Sequence, residues 1–434
     1  MDNIRPSWSS RYTFILATIG STVGLGNIWR FPYIMGQHGG AVFLITYLIL
    51  ITTICSIPLL AEIVFGKITK KECIGAYETA SPKLKLFGAL NPITGILISA
   101  FYFVVGGWII NYIVLSLKNL KIENYSNYFS SFVQEPVTTC VLGLLFLFFC
   151  IFFTARGVKK GIEFANNILM PIFALILIAL VMVSLNLPNA SLGLEYMFKP
   201  DFSKFNSEMF LSALGQALFT LSIGMGALLI YGSYIKEDKN IVKSAYTIIF
   251  FDTMFALTAG IVIFPAIFSF GLEPNSGAGL VFVTLPYIFS QIPHGNIISI
   301  AFFLLLLVAA LTSGISMLEV SIATCIEKFK MTRIKACVLL FLVISLILVP
   351  TSLSFGVLAD VKIIGKNIFD FLDFTTSSIL MPINAMILCL VAGWGLKIEG
   401  KQFISNKLFA KLFDIGLKFV VPLIMFALLI IGLI

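Results

Sequence analysis

Two apolar segments, each long enough to cross a membrane, are interrupted by a Gly-x-Gly sequence, at residues 24–26 and at residues 224–226. In hydrocarbon, an unpaired backbone N–H or C=O group carries a high free-energy cost, so open backbone persists only where other groups supply its partners. Such breaks are typical of membrane helices that line a binding site or a cavity. The alternative is that the glycines only let neighbouring helices approach closely.

The composition indicates a polytopic membrane protein. Hydrophobic residues make up 59% of the 434 residues and charged residues 12%, whereas soluble domains have about 45–50% and about 25%. Apolar runs of about 20 residues, enough for a helix to cross the bilayer, recur along the chain. We therefore predict an all-α fold with about eleven transmembrane helices. The predicted spans are 11–35, 38–66, 86–117, 137–155, 161–184, 207–235, 241–271, 296–326, 334–352, 367–396 and 412–433.

The Lys and Arg residues indicate which way the chain crosses the membrane. If the amino end lies inside, the inner segments hold roughly 22 of the 29 Lys and Arg residues. This asymmetry predicts a cytoplasmic segment at residues 1–10 and a multi-pass protein of the cell (inner) membrane. It also accounts for the net charge of +8 without a nucleic-acid partner. The first apolar run lacks a small-residue cleavage site, so we do not interpret it as a signal peptide.

The two glycine breaks lie in the first and the sixth predicted span. Because the second break lies five spans after the first, the corresponding helices cross the membrane in opposite directions. We therefore predict a 5+5 inverted repeat with a first repeat at 11–184, a second at 207–396, and one extra helix at 412–434. Discontinuous helices 1 and 6 in such a repeat are typical of secondary transporters, whose binding site lies near the bilayer midplane.

Each break exposes both kinds of backbone group. The half-helix that starts after a break presents free N–H groups, which favour a carboxylate, and the half-helix that ends before it presents carbonyls, which favour a cation. Asn27, Thr220 and Asp252 add side-chain oxygens at similar depths, and oxygen ligands suit a hard cation such as sodium. The seven cysteines and two histidines show no metal-binding spacing.

The segment from Trp8 to Tyr33, WSSRYTFILATIGSTVGLGNIWRFPY, resembles the first span of the neurotransmitter:sodium symporters, including their bacterial leucine-transporter-like members. Further matching segments are IPL at 57–59, Glu62, FY at 101–102, GQALFTLS at 215–222, ALTS at 310–313 and FLDF at 371–374. The resemblance covers nearly the whole chain, and the number of spans is similar to that of a bacterial branch that includes a tyrosine transporter. It implies a sodium-coupled symporter that imports a hydrophobic or aromatic L-amino acid, such as tyrosine, tryptophan or leucine, by alternating access.

The resemblance implies two sodium sites next to one substrate site. The first sodium site would use Thr22, Asn27, Thr220 and Asp252. The second would use Gly20, Val23, Ala309, Thr312 and Ser313. The substrate would be held by Thr22, Gly24, Leu25, Gly26, Ile98, Tyr102, Phe219, Thr220, Ser222, Met225, Ser313 and Met317.

The resemblance also implies a gate on each side of the substrate. The outer gate would be Arg30 with Asp373, since a charge inside the membrane needs a partner. The inner gate would be formed by Arg5, Glu327, Trp8, Ser233 and Tyr234. Without the resemblance, the charges of the inner gate would be interpreted as ordinary loop charges.

Packing or local hydrogen bonding offers another explanation for two of the implied features. Gly161 and Pro171 resemble a family element that unwinds to let water reach the second sodium ion, because Pro removes a helix hydrogen bond and Gly adds backbone freedom. Helix packing explains this pair equally well. Likewise, the hydroxyls of Thr312 and Ser313 are explained by hydrogen bonds to the preceding helical turn.

The residues at five positions narrow the range of expected substrates and ions. Family members that carry monoamines have an aspartate in place of Gly24, so the substrate is expected to bring its own carboxylate. Met225 and Met317 would form an adaptable apolar wall around its side chain, and generic core packing also explains them. Chloride-dependent relatives have a serine in place of Ala256 and an asparagine in place of Asp252. We expect Asp252 to supply the negative charge instead, and its protonation to balance the return step, so that transport needs no chloride.

Three other functions fit the sequence less well. A channel would need a continuous polar pore with rings of like charge. A membrane enzyme would need a catalytic triad, a metal cluster or a phosphate loop, and the sequence shows none of them. A proton- or sodium-coupled transporter of another small zwitterion would share the inverted-repeat fold. The expected partners are the lipid bilayer and a small amino acid, with the chain as a monomer or a homodimer.

Overall fold

The computed structural model describes residues 5–118, 122–236, 240–273 and 279–433, and this part of the chain is almost entirely helical. It contains nine helices that are long and apolar enough to span a membrane. Two further spans in the described part, the first and the sixth, are broken near their centres. The predicted all-α fold with eleven spans and two discontinuous helices is therefore confirmed.

The spans follow one another along the chain as α1 to α11. Span α1 consists of α1a (Arg11–Thr22) and α1b (Gly26–Arg30 followed by Phe31–Gln37), and α6 consists of α6a (Ser207–Thr220) and α6b (Ala227–Ser233). The other nine spans are α2 (Ala41–Thr69, with a turn at 53–55), α3 (Pro82–Leu117), α4 (Pro136–Ala155), α5 (Val158–Leu185), α7 (Ile241–Ser269), α8 (Gly295–Lys328), α9 (Arg333–Leu353), α10 (Ile368–Gly395) and α11 (Lys407–Gly432). Shorter helices in the connections are Cys73–Ala80, Tyr125–Gln134, Ala190–Phe198 and Leu280–Gln291.

The last span begins at Lys407, whereas the sequence predicted a start at 412. The side chain of Asn406 caps this helix, since its Oδ1 accepts hydrogen bonds from the backbone N–H groups of Leu408 at 2.9 Å and Phe409 at 3.2 Å. The first turn carries lysines on one side, so it is amphipathic rather than apolar. A prediction based on apolar runs therefore excluded it.

The break in α6 depends on backbone that ordinary residues rarely adopt. Gly224 and Gly226 have φ angles of 81° and 82°, in the left-handed region that glycine enters without steric cost. Ser222 has a φ of 54°, which is unfavourable for a residue with a Cβ atom. The surrounding structure has to hold this residue in place, and such strained residues cluster at functional sites.

The inverted repeat places the two broken spans side by side. We call the face at which residue 5 lies the N face. There α1a contacts α6b, and in the opposite half of the protein α1b contacts α6a. Span α2 packs on both halves of α6, and it approaches α6b so closely that a Cβ atom added to Gly66 would lie 1.9 Å from the carbonyl oxygen of Leu229. Spans α3 and α8 pack against each other beside α1. The two breaks therefore meet at the centre of the protein.

Candidate functional site

A small cavity lies between the two breaks and is closed on its other sides by α3 and α8. All twelve residues predicted to hold a substrate line it, and so does Ser21. The sequence prediction missed Ser21, although a serine next to the break in an apolar half-helix was a usable signal. Its hydroxyl donates to Ser316 at 2.8 Å, and its carbonyl accepts from Ser313 at 3.2 Å.

One wall of the cavity presents hydrogen-bonding groups that are not fully satisfied among the described residues. The hydroxyl of Tyr102 is buried and makes no hydrogen bond of standard geometry there, although the hydroxyl of Ser313 and the backbone N–H of Leu25 lie near it. The start of α1b, at Leu25 and Gly26, also lines the cavity, and the first N–H groups of a helix have no partner within the helix. A Cβ atom added to Gly24 would lie 2.6 Å from the hydroxyl of Ser313, so this position excludes a side chain. The wall suits an anionic group such as a carboxylate.

A buried carboxylate lies behind the break in α1. Asp252 is 0% exposed, and its side chain accepts hydrogen bonds from Asn27 Nδ2 at 3.0 Å and from Thr220 Oγ1 at 3.2 Å. Asn27 Oδ1 in turn accepts from the N–H of Gly24 at 3.0 Å. Among the described residues no lysine or arginine pairs with this carboxylate. Burying a charge with only neutral partners is costly, so this group of oxygens favours a bound cation. Thr22, the fourth residue predicted for the first sodium site, lines the adjoining cavity.

A second group of oxygens lies where α1a ends against α8. The hydroxyl of Ser313 lies 3.4 Å from the carbonyl oxygens of Gly20 and Val23, and 3.2 Å from that of Ser21. One hydroxyl has a single hydrogen and satisfies only one of these three acceptors. Surplus carbonyl oxygens that converge on one point suit a hard cation. The chemistry of both groups of oxygens therefore fits sodium.

The remaining two residues predicted for the second sodium site, Ala309 and Thr312, are joined by a hydrogen bond within α8. Thr312 Oγ1 donates to the carbonyl of Ala309 at 3.0 Å and lies 3.2 Å from that of Val308. These are the bonds to the preceding turn that the alternative interpretation predicts. The structure thus places Thr312 next to Ser313 but engages its hydroxyl within α8.

The backbone opened by the break in α6 finds its partners on α2 and α10. The carboxylate of Glu62 accepts hydrogen bonds from the N–H groups of Gly224 at 3.2 Å and Leu229 at 3.4 Å. Asn384 Nδ2 donates to the carbonyl of Gly224 at 2.8 Å. The sequence showed a charge within span α2 but not what it would contact, and it gave no role to Asn384.

The two residues of the predicted outer gate line one cavity without touching each other. Arg30 and Asp373 both border a cavity of about 240 Å³ that lies over Phe219, on the side opposite the N face. The guanidinium of Arg30 lies 4.5 Å from the centre of the Phe219 ring and 3.5 Å from Oε1 of Gln216. The carboxylate of Asp373 accepts from Ser377 at 2.9 Å. An approach to the central cavity is therefore lined by charged groups that do not pair in this structure.

The residues of the predicted inner gate are in contact and close the N face. Arg5 forms an ion pair with Glu327 and also donates to the hydroxyl of Ser233 at 2.6 Å. Trp8 is buried, its indole N–H donates to the carbonyl of Tyr231 at 2.8 Å, and its ring lies 6.0 Å from that of Tyr234. The protein is thus sealed towards the N face below the central cavity.

An ion pair that the sequence prediction missed strengthens this seal. Glu319 of α8 is paired with Arg333 of α9 and accepts a hydrogen bond from the hydroxyl of Tyr234 at 2.7 Å. Arg333 also donates to the carbonyl of Thr154 at 2.7 Å. A charge within an apolar span was the available signal, since such a residue needs a partner.

Comparison with known proteins agrees with this architecture. The profile of the sodium:neurotransmitter symporter family matches residues 5–139 and 120–434. The chain is 39% identical to the uncharacterized sodium-dependent transporter YhdH of Bacillus subtilis, over 96% of this chain and 95% of that protein. It is 36% identical to an uncharacterized sodium-dependent transporter of Haemophilus influenzae, over 97% of this chain and 96% of that protein.

A solved structure is similar over nearly the whole length. The crystal structure of MhsT in complex with L-phenylalanine is 42% identical in sequence and superposes with a TM-score of 0.90, covering 98% of this chain and 99% of MhsT. A family of transporters, relatives described as sodium-dependent and a matching arrangement of helices all point to the same kind of protein. The chain therefore belongs to the sodium:neurotransmitter symporter family and is a sodium-dependent, multi-pass membrane transporter.

Proposed function

We propose that this transporter imports a hydrophobic or aromatic L-amino acid, of the tyrosine, tryptophan or leucine kind, together with two sodium ions. The observation that carries the proposal is the cavity between the two breaks. It combines unpartnered donors on one side with a buried, uncompensated carboxylate next to it. The carboxylate of a zwitterionic substrate would pair with these donors, and a bound cation would compensate the charge of the buried carboxylate.

The polar end of the substrate would lie at the broken helices. Its carboxylate would accept hydrogen bonds from the hydroxyl of Tyr102 and from the N–H groups of Leu25 and Gly26, which all border the cavity. Its ammonium group would meet carbonyl oxygens at the ends of α1a and α6a, where a helix carries partial negative charge. Because Gly24 leaves no space for an acidic side chain, the substrate has to supply the carboxylate.

The side chain of the substrate would lie among apolar residues. Ile98, Phe219, Met225 and Met317 border the cavity away from the polar wall. Methionine side chains are flexible and polarizable, so they adapt to large apolar and aromatic groups. The L-phenylalanine bound in the similar structure of MhsT supports a substrate of this class.

The two groups of oxygens would bind one sodium ion each. The first would lie beside Asp252, Asn27 and Thr220, and the substrate carboxylate would complete its ligands, so that ion and substrate bind cooperatively. The second would lie among the carbonyls of Gly20 and Val23 and the hydroxyl of Ser313. Because Asp252 already supplies a negative charge next to the first ion, we propose that chloride is not required.

Two sodium ions provide a strong driving force. A membrane potential of about 100 mV contributes about 2.3 kcal/mol per charge, and a tenfold gradient adds about 1.4 kcal/mol per ion. Together these terms sustain an accumulation on the order of 10⁵-fold. Passive equilibration would not concentrate the substrate at all.

Transport would follow alternating access, with the N face towards the cytoplasm of the cell. The structure, with the cavity at Arg30 and Asp373 and the seal at Arg5 and Glu327, would correspond to an outward-facing arrangement. Substrate binding would bring Arg30 and Asp373 together, and release of the second sodium ion would open the N face.

Binding measurements with the purified protein test this proposal. Labelled tyrosine, tryptophan, phenylalanine and leucine are offered with sodium or with choline as the cation, and unlabelled amino acids then compete. We expect saturable binding that requires sodium, and we expect Asn27→Ala and Thr220→Ala to abolish it. Proteoliposomes with an inward sodium gradient should then concentrate the preferred amino acid. Equal binding in sodium and choline would refute the proposal.

A further inference from the structure

A buried amide oxygen on α5 has no hydrogen-bond partner in the part of the chain that the structure describes. Asn166 is 1% exposed, and its Nδ2 donates to the carbonyl of Ile162 at 2.9 Å. Its Oδ1 forms no hydrogen bond within the described residues. The positions of the amide nitrogen and oxygen cannot be exchanged, because the oxygen would then face the carbonyl oxygen of Ile162 and no donor would lie between them. An unsatisfied buried acceptor is uncommon in folded proteins and calls for an explanation, such as a bound ion or water.

The free oxygen lies beside the second group of oxygens. A Cβ atom added to Gly20 would lie 1.9 Å from Oδ1 of Asn166 and 3.3 Å from Cβ of Thr312. The oxygen therefore rests against the backbone of Gly20, whose carbonyl lies 3.4 Å from the hydroxyl of Ser313. The proposed ligands of both ions come from α1, α6, α7 and α8, whereas Asn166 belongs to α5.

We propose that the amide oxygen of Asn166 is a further ligand of the second sodium ion, bound directly or through one water. This inference rests on the proposed function, because it presupposes an ion at this place. An uncharged amide oxygen is a ligand type that hard cations accept. The position of the Asn166 amide also explains why residue 20 is glycine, since any side chain at residue 20 would displace that amide.

The position of Asn166 gives it a connection to the N face. It lies between Gly161 and Pro171, in the segment of α5 whose first turns, Val158–Glu163, form a wider π-helix. One turn of helix earlier, the carboxylate of Glu163 accepts hydrogen bonds from the N–H and the hydroxyl of Ser9 at 2.6 and 2.7 Å. The same helix thus carries both the Asn166 oxygen and a contact with the amino-terminal segment at the N face.

A sodium titration of substrate binding tests this role, with the neighbouring Asn167 as a matched control. Asn167 is also an asparagine of α5, but its side chain lies on the exposed face. We expect Asn166→Ala to raise the sodium concentration for half-maximal binding about tenfold, as loss of an outer ligand does. Substrate affinity at saturating sodium should stay unchanged, and Asn167→Ala should titrate like the wild type. Asn166→Asp loses the donor to the carbonyl of Ile162 but keeps an oxygen beside Gly20 and adds a negative charge that attracts the ion, so it should need no more sodium than the wild type.

The outcomes separate this inference from the proposed function. If the wild type shows no sodium-dependent binding, the proposed function fails. If the wild type depends on sodium but Asn166→Ala titrates like Asn167→Ala, only the role of Asn166 is refuted, and a lower melting temperature would then mark it as a packing residue. If Asn166→Ala does not fold, an Asn166→Asp titration that requires more sodium than the wild type refutes the role.

Discussion

Replacing Tyr102 by phenylalanine removes one hydroxyl from the central cavity and leaves the ring in place. That hydroxyl is buried and makes no hydrogen bond of standard geometry among the described residues, so none of that kind is lost there. If it binds the substrate carboxylate, its removal costs a hydrogen bond to a charged group, about 1.5–3 kcal/mol. This corresponds to binding that is about 10- to 150-fold weaker. The melting temperature of the substrate-free protein should not fall, because an unsatisfied buried hydroxyl does not stabilise the fold.

Tyr77 provides a matched control for this experiment. Its hydroxyl is also buried without a hydrogen bond in the described part of the chain, but it lies in the connecting helix Cys73–Ala80, away from the cavity. Scintillation-proximity binding of the preferred amino acid in sodium buffer should therefore be weakened by Tyr102→Phe and unaffected by Tyr77→Phe. Equal affinities for Tyr102→Phe and the wild type would refute the placement of the carboxylate.

Three further perturbations follow from other contacts. Uptake by the wild type should be the same in chloride and in gluconate, whereas Asp252→Asn should need about tenfold more sodium or more, because the charge next to the first ion is lost. Gly66→Ala should lower the melting temperature in detergent by a destabilisation of about 1–3 kcal/mol, since the new methyl group meets the carbonyl of Leu229 at 1.9 Å. Arg5→Ala and Glu327→Ala should each slow uptake, and the double variant should be no slower than the slower single variant, because both remove the same ion pair.

Each of these three predictions has an outcome that would contradict it. Uptake by the wild type that collapses in gluconate would show that Asp252 does not replace chloride. Gly215 has no atom within 4 Å of an added Cβ, so Gly215→Ala is the control for Gly66, and equal melting temperatures for the two variants would contradict the steric argument. Fully additive effects of Arg5→Ala and Glu327→Ala on uptake would show that the two residues act independently.

Much of the architecture could be predicted because it depends on local patterns. Apolar runs of a fixed length specify spans, and the Gly-x-Gly sequences at 24–26 and 224–226 specify where two of them break. The number of spans between the breaks then determines the inverted repeat. The residues around the central cavity were identified by resemblance to a family, and the structure brings all twelve of them to that cavity.

Contacts between distant segments could not be predicted in this way. The partners of Glu62 and Glu319 lie on other spans, and the oxygen of Asn166 has none among the described residues; nothing in the neighbouring sequence indicates either outcome. Arg30 and Asp373 illustrate the same limit, because the sequence suggests a pair while the structure holds them apart across a cavity.

The sequence alone determines that this chain is a bundle of membrane helices, that two of these helices are broken, and that the chain carries the polar residues of a sodium-coupled transporter. Only the tertiary structure decides which buried oxygens are left without donors, which charges are paired, and which face of the protein is closed. The physical reason is that helix formation and membrane insertion depend on residues close in sequence, whereas the satisfaction of a buried polar group depends on whatever the packed helices bring within about 3 Å of it.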